Sequence, residues 1–421
     1  MKIAVLVYSL DGIGGIAKHA LCVAREYTRL GHEATVWAVE WNREGCYPRM
    51  TAEMDVRSLR GPATRPSLER TARLPGVRMA AYLAQLGKYT VDQNRLAGRL
   101  AEGNAAQPEY DVINPVGNLV SWAAAGYKRA HGTPVVWMCC DFWPPAGHPQ
   151  ALAGAGGLRK VKDSVKAGLA LPFERYDRDC VRAADEIVVL SERVKAQMAG
   201  HYGVQSSIVR AGVEIEMLQR GDGARVRARY GISQSSFVLL TVALLMPRRR
   251  IEDVIRALRL LVDEGRDVRY LLVGGAYHSP EYVQALKAEI VECGLSEQVV
   301  FAGEVPDDEL ADHYHACDAF VWAADENQSW GMAGLEALAA RRPLIVSGAN
   351  GLAEALENGK TALVTASRSP QGIATAVRRL GDEPGLAASI ARQGAGLVNE
   401  RYSWRSNAEQ MVSLFERARA R

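Results

Sequence analysis

The sequence predicts an α/β protein made of two doubly wound parallel sheets, one following the other along the chain. Three observations carry this. At 421 residues the chain is too long for one compact core, so two domains of roughly 200 residues are expected. Short, near-continuous apolar runs such as "KIAVLVYS" and "SFVLLTVALL" have the pattern of strands buried on both faces of a parallel sheet. Helical segments alternate with these runs, and the alternation begins afresh near the middle of the chain.

In the first half, "KIAVLVYS" leads through "DGIGG" into a helix on which Ile16, Ala20, Val23, Ala24 and Tyr27 share one face. Gly31 ends that helix, and "EATVWAVE" is the second strand. The strands "DVINPV", "TPVVWMCC" and "EIVVLS" follow at intervals. Between about 43 and 78 lies an arginine-rich stretch with the least pattern, read as a solvated insertion, with an acceptor or membrane-surface loop as the alternative. A connector around "SIVRAGVEIEMLQRGDGA" leads to "SFVLLTVALL". Helix "IEDVIRALRLLVDEG", strand "VRYLLVGG", helix 280–293, strand "QVVFAG", helix "DDELADHYHAC" and strand "DAFVWAA" then alternate, and "RPLIVS" and "TALVT" complete the sheet. The last segment, "SWRSNAEQMVSLFERARAR", reads as an amphipathic helix with no strand of its own to cover. The expected domains are 1–213 and 214–401, with 402–421 packing back on the first.

Bulk composition narrows the function. A net charge of +3 gives no general affinity for nucleic acid. The seven cysteines show no CxxC spacing, which argues against structural zinc or a disulfide framework and fits a reducing cytoplasm. No apolar run has the ~18 residues of a membrane span, and Met1 leads straight into a strand with no visible signal peptide.

Four stretches carry chemistry. In "DGIGGIAKH", Gly12, Gly14 and Ala17, with Glu40 at the end of the next strand, loosely match the dinucleotide fingerprint; an NAD-dependent oxidoreductase is the first alternative. Ser9 to Asp11 separate strand from glycine, however, and a glycine loop before a helix suits any ligand drawn close to backbone amides. "RYDRDC" holds Asp177 and Asp179 as a literal DxD, but on a helix carboxylates two apart point to different faces. Arg248, Arg249 and Arg250 follow a buried strand, where a guanidinium is suited to binding phosphate. In "ENQSWGMAGLEALAARRPLIVS" a loop runs into a helix at Gly331. The amides of Gly331 and Met332 favour an anion there, and Glu336 can accept hydrogen bonds from a ribose diol. Gly351 and Glu354 repeat the theme downstream.

The stretch "DHYHACDAFVWAADENQSWGMAGLEALAARRPLIVSGANGLAEALENGKTALV" resembles the donor-binding signature of the family 4 glycosyltransferases. "VFAGEVPDDEL", "AADEIVVLSERVK", "IVRAGVEIEML", "GIGGIAKHALCVAREYTRLGHEATVW" and "YSW" are similar to that family too. The resemblance covers most of the chain and is strongest over 237–365. It implies the GT-B fold, with two Rossmann-like domains facing a central cleft, and a retaining transfer from a UDP- or GDP-linked sugar. It also implies no required metal or cofactor, so cations and helix amides must stabilise the departing diphosphate. Carried over by position, Glu336 binds the donor ribose, Gly331 and Met332 face phosphate, and Arg249 stands where the family has a phosphate-binding lysine. Gly14, Gly15, Arg248, Arg250, Ser329 and Trp330 complete the expected donor set, and Arg249, Asp141 and Gln328 are the catalytic candidates.

Three departures from the family stand out. Leu244 replaces a strand-end arginine, and Gln328 replaces the first glutamate of a pair whose second member is Glu336. Cys140, followed by Asp141, replaces an interdomain histidine. Asp141 is expected to orient the acceptor, a small molecule or a glycan- or lipid-linked intermediate, and Gln328 to select an atypical sugar. The competing readings are a GT-B sugar phosphorylase and a nucleotide-sugar-binding protein that has lost activity.

Overall fold

The computed structural model describes residues 1–61, 75–101 (backbone alone to residue 86), 109–142, 172–277, 279–326 and 328–421. The chain divides into two units, one comprising Met1–Val209 with Ala408–Arg421, the other Arg210–Asn407.

In the first unit, β1 (Lys2–Leu10), β2 (Glu33–Trp41), β3 (Asp55–Arg60) and β4 (Val112–Pro115) form a parallel sheet in the order β3-β2-β1-β4. Single parallel bridges, Ile113 to Val135 and Val116 to Met138, lead from β4 towards β5 (Val136–Cys139). That strand opens the sheet β5-β6-β7 with β6 (Glu186–Val189) and β7 (Ser207–Ile208). Ile3 to Leu6 are wholly buried, the burial on both faces that their unbroken apolar run requires. Gln93, on helix Pro75–Ala101, accepts hydrogen bonds from the amides of Trp122 (2.9 Å) and Ala123 (3.2 Å), and so caps the helix Ser121–His131 from a neighbouring element. The terminal segment belongs to this unit: the Phe415 ring meets Tyr27 edge-on at 5.3 Å, and Arg419 pairs with Asp111 at 3.1 Å.

Three expectations need correction here. Ile16, the second residue of its helix, is 42% exposed, whereas Ala20, Val23, Ala24 and Tyr27 are buried. The arginine-rich stretch contains a real strand, β3, paired in parallel with β2. It was hidden because an edge strand need not be apolar: Arg57 lies over the Trp37 ring, and Arg60 bonds Glu40 and Asp92. Residues 62–74 of that stretch lie outside the described residues. The expected connector likewise begins with β7, two residues long and paired with β6.

In the second unit, β8 (Phe237–Val242), β9 (Val268–Val273), β10 (Val299–Gly303), β11 (Ala319–Trp322), β12 (Leu344–Ser347) and β13 (Leu363–Thr365) form one parallel sheet in the order β10-β9-β8-β11-β12-β13. Ile251, Ile255 and Leu258 of helix Ile251–Asp263 pack in one buried cluster with Leu239, Tyr270 and Val321 of the sheet. Strand order reverses between β8 and β11, which makes that junction the topological switch point where such sheets bind ligands.

Arg227 holds the entry to this sheet. Only 7% exposed, it donates to the carbonyls of Ala316 (2.9 Å), Ser233 (3.1 Å) and Ser236 (3.1 Å) and to the Asp318 carboxylate (2.7 Å). Arg227→Met keeps the stem and removes every donor. It should cost about 3 kcal/mol and lower the thermal midpoint of this unit by roughly 6–12 °C, measured by circular dichroism.

Candidate functional site

The loops leaving β8, β11 and β12 meet at the carboxyl edge of the second sheet. After β8 the chain makes a short 3-10 turn, Pro247–Arg249, and Arg250 takes a left-handed conformation (φ 54°) before helix Ile251–Asp263. Arg249 is half-buried, with its guanidinium over the Trp322 ring at 5.0 Å and an N–H donated to the Gln328 side-chain oxygen. Trp322 is the last residue of β11, so cation and platform come from adjacent strands. The Gln328 amide nitrogen donates to the carbonyl of Trp330, and the Gln328 carbonyl accepts from Gly351 N–H at 3.1 Å. Gln328 thereby ties together the loops after β8, β11 and β12.

The helix Met332–Ala339 starts beside this junction. A Cβ on Gly331 would lie 2.6 Å from the Trp322 indole nitrogen, and one on Gly334 would lie 2.4 Å from Leu352, so the helix enters closely only with glycine at both positions. Gly331 has no side chain with which to cap the helix, and first-turn amides such as Met332 N–H have no carbonyl behind them. Glu336 follows one turn on, 6% exposed, and accepts the Tyr314 hydroxyl at 2.8 Å. Tyr314 is wholly buried; burial, and then the Glu336 charge, push its phenol well above the usual range, so it stays a donor. Sequence reasoning missed Tyr314: in "DHYHAC" it looks like an ordinary core aromatic, and its partner lies 22 residues away.

The other candidates separate. Arg248 lies in the same loop, with its carbonyl accepting from Asp325 N–H at 3.0 Å and its Nε 3.4 Å from the Met246 sulfur. Arg250 turns away to a bidentate pair with Asp253, 3.0 Å for each bond, and to Glu252 at 2.6 Å, which fix the start of the following helix. Ser329 and Trp330 are buried, and Arg210 lies over the Trp330 ring at 5.4 Å. Gly14, Gly15 and Asp141 belong to the first unit. Among the described residues, a Cβ at Gly12 or Gly14 would meet no atom within 4 Å, so their packing does not demand glycine there. The Asp141 carbonyl accepts from Asn118 at 2.7 Å, just beyond β5.

Neither alternative ligand finds support in the side chains that suggested it. Glu40 is held by Arg60 (2.6 Å) and Lys88 (3.2 Å) and is 6% exposed, which removes it from a ribose-binding role. Asp177 accepts from Trp122 (2.7 Å) and Tyr202 (2.6 Å) while Asp179 faces solvent, so the DxD carboxylates diverge. Among the described residues no group of three or more His, Cys, Asp or Glu is placed to hold a metal ion, and no helix is long and apolar enough to cross a membrane.

The second unit thus gathers a cation, helix amides and a buried carboxylate at the switch point of its parallel sheet. Comparison with known proteins gives the family and the fold. The family model for glycosyl transferases group 1 matches residues 223–396, and that for Glycosyltransferase Family 4 matches residues 13–217. The D-inositol 3-phosphate glycosyltransferase of Acidothermus cellulolyticus is 30% identical over 278 residues, 62% of this chain and 61% of that protein. The chain thus matches less than two thirds of that relative's length. Anabaena HepE, solved in complex with UDP, superposes with a TM-score of 0.74 at 18% identity, covering 99% of this chain and 100% of that one. Sucrose-phosphate synthase from Thermosynechococcus elongatus gives 0.71 at 17% identity, covering 100% and 99%. The fold is GT-B. The chain belongs to the family 4 glycosyltransferases.

Tyr314→Phe tests the link that holds Glu336. Removing one hydrogen bond to a buried charged acceptor should cost about 1.5–3 kcal/mol in urea denaturation with an unchanged m-value. A loss under about 0.5 kcal/mol would mean that the hydroxyl does not support the carboxylate.

Proposed function

We propose that the protein is a retaining, metal-independent glycosyltransferase that moves a sugar from a UDP- or GDP-linked donor to a small-molecule or glycan- or lipid-linked acceptor. The observation that carries this is the convergence of Arg249 and Glu336 on the switch point of the second sheet, beside the start of helix Met332–Ala339. Arg249 and the Gly331 and Met332 amides supply fixed positive potential for a diphosphate, and Arg248 adds a second cation in the same loop. Glu336, braced by Tyr314, accepts from the ribose hydroxyls. Arg250, already engaged by Asp253 and Glu252, is left out of this set.

In the reaction the bond from the anomeric carbon to the diphosphate oxygen breaks. The acceptor oxygen attacks on the same face, and its proton passes to the departing diphosphate, so the configuration is retained. Arg249 and the helix amides meet the charge that develops on the leaving group, the task a divalent cation would otherwise perform. Asp141 is assigned to orient the acceptor. The relative from Acidothermus cellulolyticus is named for D-inositol 3-phosphate, so a phosphorylated cyclitol is the first small-molecule acceptor to try.

A thermal-shift panel of UDP, GDP and NAD tests the donor. The true nucleotide at 100 times its dissociation constant should add about 2.7 kcal/mol of stability, and stabilisation by NAD alone would overturn the reading. Glu336→Ala should weaken that nucleotide by about 1.5–3 kcal/mol. Arg249→Ala should lower turnover about 100-fold while leaving the fold intact. Transfer should persist in EDTA; loss that Mn²⁺ or Mg²⁺ restores would show that a metal is needed. Nucleotide binding with neither transfer nor donor hydrolysis would favour an inactive binding protein, the reading suggested by Leu244, Gln328 and Cys140.

A further inference from the structure

We propose that Gln328 is a positioning residue: its side-chain amide joins the Arg249 guanidinium to the Trp330 carbonyl and thereby sets the cation of the donor site. The proposal rests on the reading that Arg249 meets the donor diphosphate.

The chemistry of the two partners dictates an amide. Arg249 offers only N–H donors and the Trp330 carbonyl only lone pairs. A side chain between them must therefore accept on one side and donate on the other. Gln328 does both, with its oxygen towards Arg249 and its nitrogen towards Trp330. The flipped amide would set donor against donor and acceptor against acceptor, so a single orientation satisfies the pair. A glutamate of the same length accepts from Arg249, but its second oxygen would face the carbonyl, carboxylate against lone pair, and its charge would cancel that of the guanidinium.

Position reinforces the assignment. Gln328 is 7% exposed, and its main chain is also engaged: the N–H donates to Asp325 O at 3.2 Å and the carbonyl accepts from Gly351 at 3.1 Å. Arg249 is thus fixed from two directions, by the amide on one edge and by the Trp322 ring under its face at 5.0 Å. A long, flexible cation held in this way meets an incoming diphosphate without first losing rotamer freedom. This differs from selecting the sugar, the role expected from sequence, and the two roles separate experimentally because UDP carries no sugar.

The experiment has a ligand-free arm and a ligand arm. Thermal midpoints of Gln328→Ala, Arg249→Ala and the double variant form a cycle. Each single change should lower the midpoint by about 2–6 °C, and the double should fall little below the lower single. Fully additive shifts would mean that the two side chains do not act together and would overturn the proposal. Calorimetry then measures UDP, or GDP if the panel selects it, with each variant. Gln328→Ala should weaken the nucleotide about 10-fold in the native background and less than about 2-fold once Arg249 is alanine. Gln328→Glu should bind no better than Gln328→Ala. Native affinity in Gln328→Glu, or a loss confined to the gain of UDP-glucose over UDP, would overturn the positioning role and return Gln328 to the sugar. If the native protein bound neither nucleotide, the donor reading would fall, while the stability cycle would still judge the Arg249–Gln328 link.

Discussion

In the second unit the sheet reverses its order between β8 and β11, and the loops leaving these adjacent strands meet at the switch point where such sheets bind ligands. Arg249 comes from the first of these loops, and Trp322, Gln328 and Glu336 come from or follow the second. Strand pairing alone brings them together: β8 and β11 run parallel, with Ala319 beside Leu239 and Phe320 beside Leu240. Had β11 paired elsewhere, Arg249 would lose both its platform and its hydrogen-bond acceptor.

At this junction a cation and a buried carboxylate each take a neutral hydrogen-bond partner: Arg249 bonds an amide, and Glu336 bonds a phenol. Direct pairing of the two would have consumed the charges that the proposed donor site needs for diphosphate and diol. Arg250 shows the contrast within the same loop. Its guanidinium is pinned by Asp253 and Glu252, where it anchors a helix and serves the fold.

The first unit uses charge differently. At the carboxyl ends of β1, β2 and β3, Arg60 bridges Glu40 and Asp92, and Tyr8 donates to Asp92 at 2.7 Å. Burial works against the ionised Asp92, but the hydrogen bonds from Arg60 and Tyr8 outweigh it and hold the carboxyl below its usual range. This network ties the ends of the three strands together.

By itself the sequence determined the repeated strand–helix alternation, most of the strands and the family to which the chain belongs. Parallel strands buried on both faces must be apolar throughout, and helices that cover them must be amphipathic, so both leave a local pattern. It did not reveal β3, an edge strand whose arginines are satisfied by Glu40, Asp92 and a tryptophan ring rather than by burial among apolar neighbours. Nor could it separate Arg249 from Arg250, adjacent and identical in chemistry, because a left-handed residue at 250 sends their side chains to different partners. Tyr314 and Gln328 took their roles from contacts 22 and 79 residues away in sequence. Only the tertiary structure decided these, since a hydrogen bond across strands depends on pairing and register, which a run of residue types does not encode.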